Sequence, residues 1–211
     1  CLDNFGPATR LLQHWVAPTP VSVSAMGYYA RGPLHDRYLK FSYRGLDAVV
    51  PFSVAYRHKL LELSLPEQRV HTIPWGIDDK AIGRAVTPKE RAELKRVFEV
   101  EPDDRMVLWT GFIQQIQERE LYASLEVAQR LTQQRDDTHF VFALKPECYH
   151  PDYQSFAAPR IRLLSTTNEV FLQLLRAADY LLSPIVRTSS IVTPPLTWIE
   201  AMAVGVPIVT N

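Results

Sequence analysis

Glu200 is the single charged residue between positions 188 and 211, and the residues around it read as a helix. Thr193 can serve as N-cap, Pro194 and Pro195 suit a first turn where a missing N–H costs little, and Gly205 ends the segment before Pro207. At helical spacing Leu196, Ile199, Met202 and Ala203 form one apolar face, expected to be buried, and Thr197, Glu200, Ala201 and Val204 form the neighbouring one. Glu200 then lies at the apolar boundary, about a turn and a half from the helix N-terminus. A carboxylate so placed can accept two hydrogen bonds from a diol, while the leading N–H groups of Leu196 and Thr197 attract an anion. The alternative is a solvated or ion-paired helix glutamate. Lys145 follows an apolar strand and precedes Pro146, so it can bring a cation to a strand's carboxyl end; a solvated loop lysine is the alternative there.

The elements that would position these groups alternate between strand and helix. Strands are expected over 18–24, 46–51 and 70–74, with helices over 34–44 and 53–63, the second capped by Ser53. A helix is also expected from Pro7 to Trp15. Thr87 and Glu90 have capping-box spacing and open a helix to Phe98. Then come strand 106–110, Gly111, helix 118–134, strand 138–144, strand 161–164, a helix starting at Thr167 or Asn168 and ending near Ala177, the Glu200 helix, and strand 206–210. Such alternation implies parallel sheets, whose ligands sit beyond the carboxyl ends of the strands. Pro74 and Gly76 interrupt the pattern, which divides the chain into units 1–76 and 77–211.

Composition narrows the function classes. The chain has 211 residues, 46% of them apolar, enough for a core in one large domain or two small ones. Its 23 basic and 23 acidic residues cancel, so bulk attraction to nucleic acid is not expected. Two cysteines make no disulfide framework, no Cys and His spacing suggests a metal, and a reducing compartment follows. No apolar run approaches the roughly 18 residues of a membrane span. The basic and aromatic mixture from Tyr28 to Arg44 can meet an anionic membrane face or a lipid-linked acceptor, although a helix packed on the sheet with its basic side in water is the simpler account.

Two stretches resemble a known family. LSP at 182–184, a polar loop, and PLTWIEAMAVGVPIVT at 195–210 resemble the nucleotide-sugar site of family 4 retaining glycosyltransferases of GT-B fold. VAYRHKLLELSLPEQRVHTIPWGID at 54–78 resembles the same family's crossing between domains. The resemblance implies an α/β architecture of two Rossmann-like doubly wound domains, both incomplete here. Residues 1–76 would be the carboxyl half of the acceptor-side domain, and 77–211 the nucleotide-sugar domain lacking its end. It implies a nucleotide-sugar donor, a sugar, lipid-linked or small-molecule acceptor, retained anomeric configuration, no metal and no cofactor, and a cytoplasmic location with possible peripheral membrane contact. In this reading Glu200 holds ribose hydroxyls. Gly111 ends the first donor-side strand, Arg119 takes the place of the family's lysine at the diphosphate, and Lys145 adds a second cation. Thr193, Leu196 and Thr197 cradle phosphate. No residue is assigned to catalysis, and this piece alone is expected to be inactive.

The sequence also departs from the family. Phe112 stands where an arginine is expected, Val192 where a first glutamate is expected, and Thr193-Pro194-Pro195 replaces a glycine-containing run. Met26 lies where a histidine is common. Ser189 and Ser190 could compensate in the loop, and His35, His58, His71 and His150 read as structural or surface groups. These departures keep open a degenerate module that binds nucleotide or protein without catalysis, and a nucleotide-sugar epimerase of the same fold.

Overall fold

A computed structural model describes residues 22–25, 33–44, 46–111, 118–185 and 195–211. The described residues divide between Gly76 and Ile77 into two compact units.

In the first unit, strand β1 (Ser22–Ala25) pairs in parallel with β2 (Ala48–Pro51), Ser22 opposite Ala48, and helix α1 (Pro33–Tyr43) connects them. Helix α2 (Val54–Glu62) follows, and Ser53 caps it as the sequence predicts, its Oγ accepting from the Tyr56 amide at 3.1 Å. Leu39, Leu46, Val49, Leu60 and Val70 form the core. The strand expected over 70–74 shrinks to one bridge, Val49 to Val70, extended by His71 and Ile73 amides donating to Val49 and Pro51 carbonyls. Ile73 is 57% exposed and Pro74 has no N–H, so neither burial nor a complete ladder holds this segment as a strand. The outer face of α1 carries exposed Leu34, Arg37 and Phe41 at helical spacing, with Lys40 beside them and exposed Arg44 just past the helix end. The predicted helix 7–15 and most of strand 18–24 lie outside the described residues.

The second unit is a five-stranded parallel sheet in the order β5-β4-β3-β6-β7. Two helices precede it: a single turn, α3 (Asp79–Ile82), and α4 (Pro88–Val97), which opens on the predicted Thr87/Glu90 capping box. Strand β3 (Arg105–Gly111), helix α5 (Glu118–Gln134), β4 (Thr138–Leu144), β5 (Ile161–Ser165), α6 (Asn168–Ala177), β6 (Tyr180–Leu182), α7 (Leu196–Ala203) and β7 (Ile208–Val209) complete it. Alternate residues of the central strands feed opposite faces. Met106, Leu108, Val141 and Ala143 pack with Leu174, Leu175, Ala201 and Val204, whereas Trp109, Phe140, Phe142 and Leu144 pack with Leu121 and Leu125 of α5. Both faces are therefore covered, which is why β3 and β4 read as nearly unbroken apolar runs.

A buried cation locks the amino end of this sheet. Lys95 of α4, 5% exposed, meets Asp179 at 2.7 Å and donates to the carbonyls of Asp104 and Pro102 at 2.6 and 3.2 Å. Asp179 in turn accepts from the Met106 amide at 2.8 Å. One ion pair thus ties α4 to the starts of β3 and β6.

Candidate functional site

The strand order creates a switch point. From β3 the chain winds outward to β4 and β5, then returns to place β6 and β7 on the other side. Crossovers leaving β3 and β6 in opposite directions open a crevice at their carboxyl ends. Gly111 is the last residue of β3, and the register of Trp109 with Leu182 sets it level with Pro184. Glycine is required at 111 for a steric reason: a methyl added there would lie 2.7 Å from Cη2 of Trp109, whose indole is buried against Phe142. Lys145 stands one strand away from the crevice, just past the Gly111–Leu144–Ser165 row. It is exposed, and its carbonyl accepts from the Cys148 amide at 2.9 Å.

Arg119 is the second residue of α5, exposed, with Glu118 and Glu120 on either side in the first turn. Those carboxylates suit the positive end of a helix dipole, but they make this turn locally acidic, an unfavourable neighbourhood for a second anion.

Helix α7 leaves the crevice and carries Glu200. It starts at Leu196 with Pro195 as N-cap, which corrects the expectation that Pro194 and Pro195 form its first turn. Pro195 is extended (φ −54°, ψ 141°), and its carbonyl accepts from the Trp198 amide at 2.9 Å. The amides of Leu196 and Thr197 therefore do open the helix, while Thr193, with Ser189, Ser190 and Val192, lies outside the described residues, as does Phe112.

The expected buried face of α7 is also corrected. Leu196 and Met202 are 41% and 62% exposed, whereas Ala201 and Val204 are 0% and 1% exposed. The helix is apolar nearly all round, so periodicity cannot select a face, and the small Ala201 side chain permits the closest approach to the sheet. Viewed down the axis, Trp198 and Glu200 flank the Thr197/Ala201/Val204 stripe on its two sides. The Glu200 side chain is partly buried and has no hydrogen bond or ion pair among the described residues. Desolvation raises its carboxyl above the ordinary range.

Three further groups shape this end of the sheet, and spacing alone did not single them out. Trp198 Nε1 donates to Ser183 Oγ at 2.8 Å. The Ser183 amide donates to Val209 O at 2.9 Å. Asn211 brackets Ile185, its Oδ1 accepting from the Ile185 amide at 2.7 Å and its Nδ2 donating to the carbonyl at 3.3 Å. The strand predicted over 206–210 shortens to Ile208–Val209, paired with Leu181 and Leu182, and the Ser183 and Asn211 bonds continue the link between the two segments past it. Among the described residues no cluster could hold a metal ion, and no helix is long and apolar enough to cross a membrane.

No family model matches the sequence, and no curated protein matches it. Solved structures do. HepE of Anabaena, solved with UDP and glucose and with UDP-glucose, superposes with a TM-score of 0.69 at 13% identity, over 99% of this chain and 56% and 57% of its own. WaaG, a glycosyltransferase involved in lipopolysaccharide biosynthesis, gives 0.64 at 17% identity, over 97% of this chain and 62% of its own. A Listeria monocytogenes protein assigned as a UDP-N-acetylglucosamine 2-epimerase gives 0.56 at 14%, over 97% of this chain and 53% of its own. The chain thus spans between 53% and 62% of the length of these three proteins. At such identities the likeness is one of fold, and it agrees with the parallel sheets described above: this is an α/β chain with the Rossmann-like architecture of GT-B glycosyltransferases.

Proposed function

We propose that the protein containing this chain binds a nucleoside-diphosphate sugar at the β3/β6 crevice and transfers the sugar, with retention and without a metal, as a family 4 glycosyltransferase. The observation that carries this reading is the partly buried Glu200 carboxylate, unpartnered among the described residues, on the helix leaving the switch point. A carboxylate that has lost part of its solvent gains from hydroxyl donors, and a ribose diol supplies two. Arg119, and Lys145 as a second cation, would meet the diphosphate, whose negative charge grows as the sugar leaves. Leu196, Thr197 and Thr193 would contact phosphate, and Gly111 would leave space at the end of β3. Residues 77–211 would be the donor side and 1–76 the acceptor side, facing a sugar or lipid-linked acceptor in the cytoplasm. HepE, solved with UDP-glucose, lends support through its fold.

Isothermal titration of UDP, GDP and ADP into the complete protein tests the site. One of them should bind, and Glu200→Ala should weaken it about tenfold or more, a loss of at least ~1.4 kcal/mol. Equal affinity in that variant removes Glu200 from the site. A second reading, a nucleotide- or protein-binding module without transfer, is favoured by Phe112 and Val192, which stand where the family has an arginine and a glutamate. Product analysis with a nucleotide sugar separates the cases: glycosylated acceptor or free sugar supports an enzyme, an altered sugar with free nucleotide supports an epimerase, and unchanged donor supports the binding module.

A further inference from the structure

Helix α7 rests on the sheet through a narrow stripe, chiefly the Ala201 methyl and Val204. Such a contact resists sliding better than it resists rolling. Glu200 lies on one border of the stripe, so a roll of α7 moves its carboxylate toward solvent or toward the sheet. With the carboxylate about 6 Å from the helix axis, a roll of about 20° displaces it by about 2 Å, enough to break a hydrogen bond.

Trp198 lies on the opposite border. Its indole packs on the same core, and its Nε1 donates to Ser183 Oγ at 2.8 Å. Ser183 is itself immobilised, since its backbone amide donates to Val209 O at 2.9 Å and it follows β6 directly. The hydrogen bond therefore joins the first turn of α7 to a fixed point at the crevice. Among the described residues no comparable side-chain bond holds the N-terminus, because the N-cap is Pro195 and contributes none.

We infer that Trp198 and Ser183 are positioning residues that fix the rotation of α7 and so hold the Glu200 carboxylate at the mouth of the β3/β6 crevice. The inference rests on the nucleotide-site reading of Glu200. It assigns no contact with the ligand to either residue: the indole braces the helix from one side while the carboxylate works on the other. Trp198→Phe removes the donor and keeps an aromatic ring in the core. Ser183→Ala removes the acceptor at little cost in volume, and Ser183→Thr keeps it.

The test is a set of double-mutant cycles in the complete protein, using whichever of UDP, GDP and ADP binds the wild type, read by calorimetry. Ser183→Ala and Trp198→Phe should each weaken binding about three- to tenfold, Ser183→Thr should restore most of it, and the double variant should lose no more than the worse single one. In a Glu200→Ala background, Ser183→Ala should have almost no further effect, because the tether acts through that carboxylate. Wild-type affinity in Ser183→Ala, or a full additional loss on top of Glu200→Ala, overturns the inference. If Glu200→Ala itself binds normally, the nucleotide-site reading fails instead, and the two failures are distinguishable.

Discussion

At Glu200, burial works against the ligand-free fold. Its carboxyl is raised by desolvation with no compensating bond among the described residues, so folding favours the protonated form. A raised pKa contributes stability that is fully present below the ordinary carboxyl value and lost as pH rises through the folded one. Glu200→Gln should therefore melt higher than the wild type at pH 7, with the gap closing toward pH 4; a gap independent of pH would show that the charge is irrelevant. Binding runs the other way. The nucleoside diphosphate should bind less tightly as pH falls through the raised Glu200 value, and the Gln variant should flatten that dependence in calorimetric titrations. The residue was legible in the sequence as a lone charge in an apolar helix. Its Trp198 brace was not, because Ser183 and Trp198 are 15 positions apart and meet only when α7 folds back on the end of β6.

Among the elements, those with strong local signals emerged as expected. Helix α5 and strand β4 have the predicted bounds, since one is strongly amphipathic and the other continuously apolar between turns. The Thr87/Glu90 box opens α4, and hydrogen bonds from the Thr87 backbone and hydroxyl, helped by Arg84, pull the Glu90 carboxyl from 4.5 to about 2. This support is present above the ordinary carboxyl value and disappears as pH falls from 4.5 toward 2. Thr87→Ala should cost about 1 kcal/mol in urea unfolding at neutral pH, and less at pH 2.5. At the end of β3, Gly111→Ala should cost about 1–3 kcal/mol by forcing the Trp109 ring aside, measured in the same way. A peripheral contact with anionic lipid, if the protein makes one, would use the exposed Leu34, Arg37, Lys40 and Phe41 of α1 and Arg44 just past its end. Replacing Arg37, Lys40 and Arg44 by Glu should then abolish co-sedimentation with phosphatidylglycerol vesicles; retention would exclude this face.

For the molecule as a whole, the apolar clusters respect the division at residue 76. Leu39, Leu60 and Val70 form one core, while the two clusters flanking the five-stranded sheet draw only on residues beyond it. Leu60→Ala and Leu108→Ala should each cost about 2–5 kcal/mol. In hydrogen exchange, the first should release amides of β2 and α2, and the second those of β3 and β4. Loss of protection throughout the chain from either change would mean that the two units unfold together.

Hydrophobic period, capping chemistry and the order of strands and helices are local properties, so the sequence by itself determined the α/β class, most element positions and the candidate carboxylate. Tertiary structure decided what depends on partners distant in the chain. It selected the face of α7 that is buried, because an almost wholly apolar helix has no preferred side until Ala201 meets the sheet. It reduced 70–74 to a single bridge, because a strand needs neighbours and cover. It also put the switch point between β3 and β6, since strand order is set by which edge each returning crossover can reach.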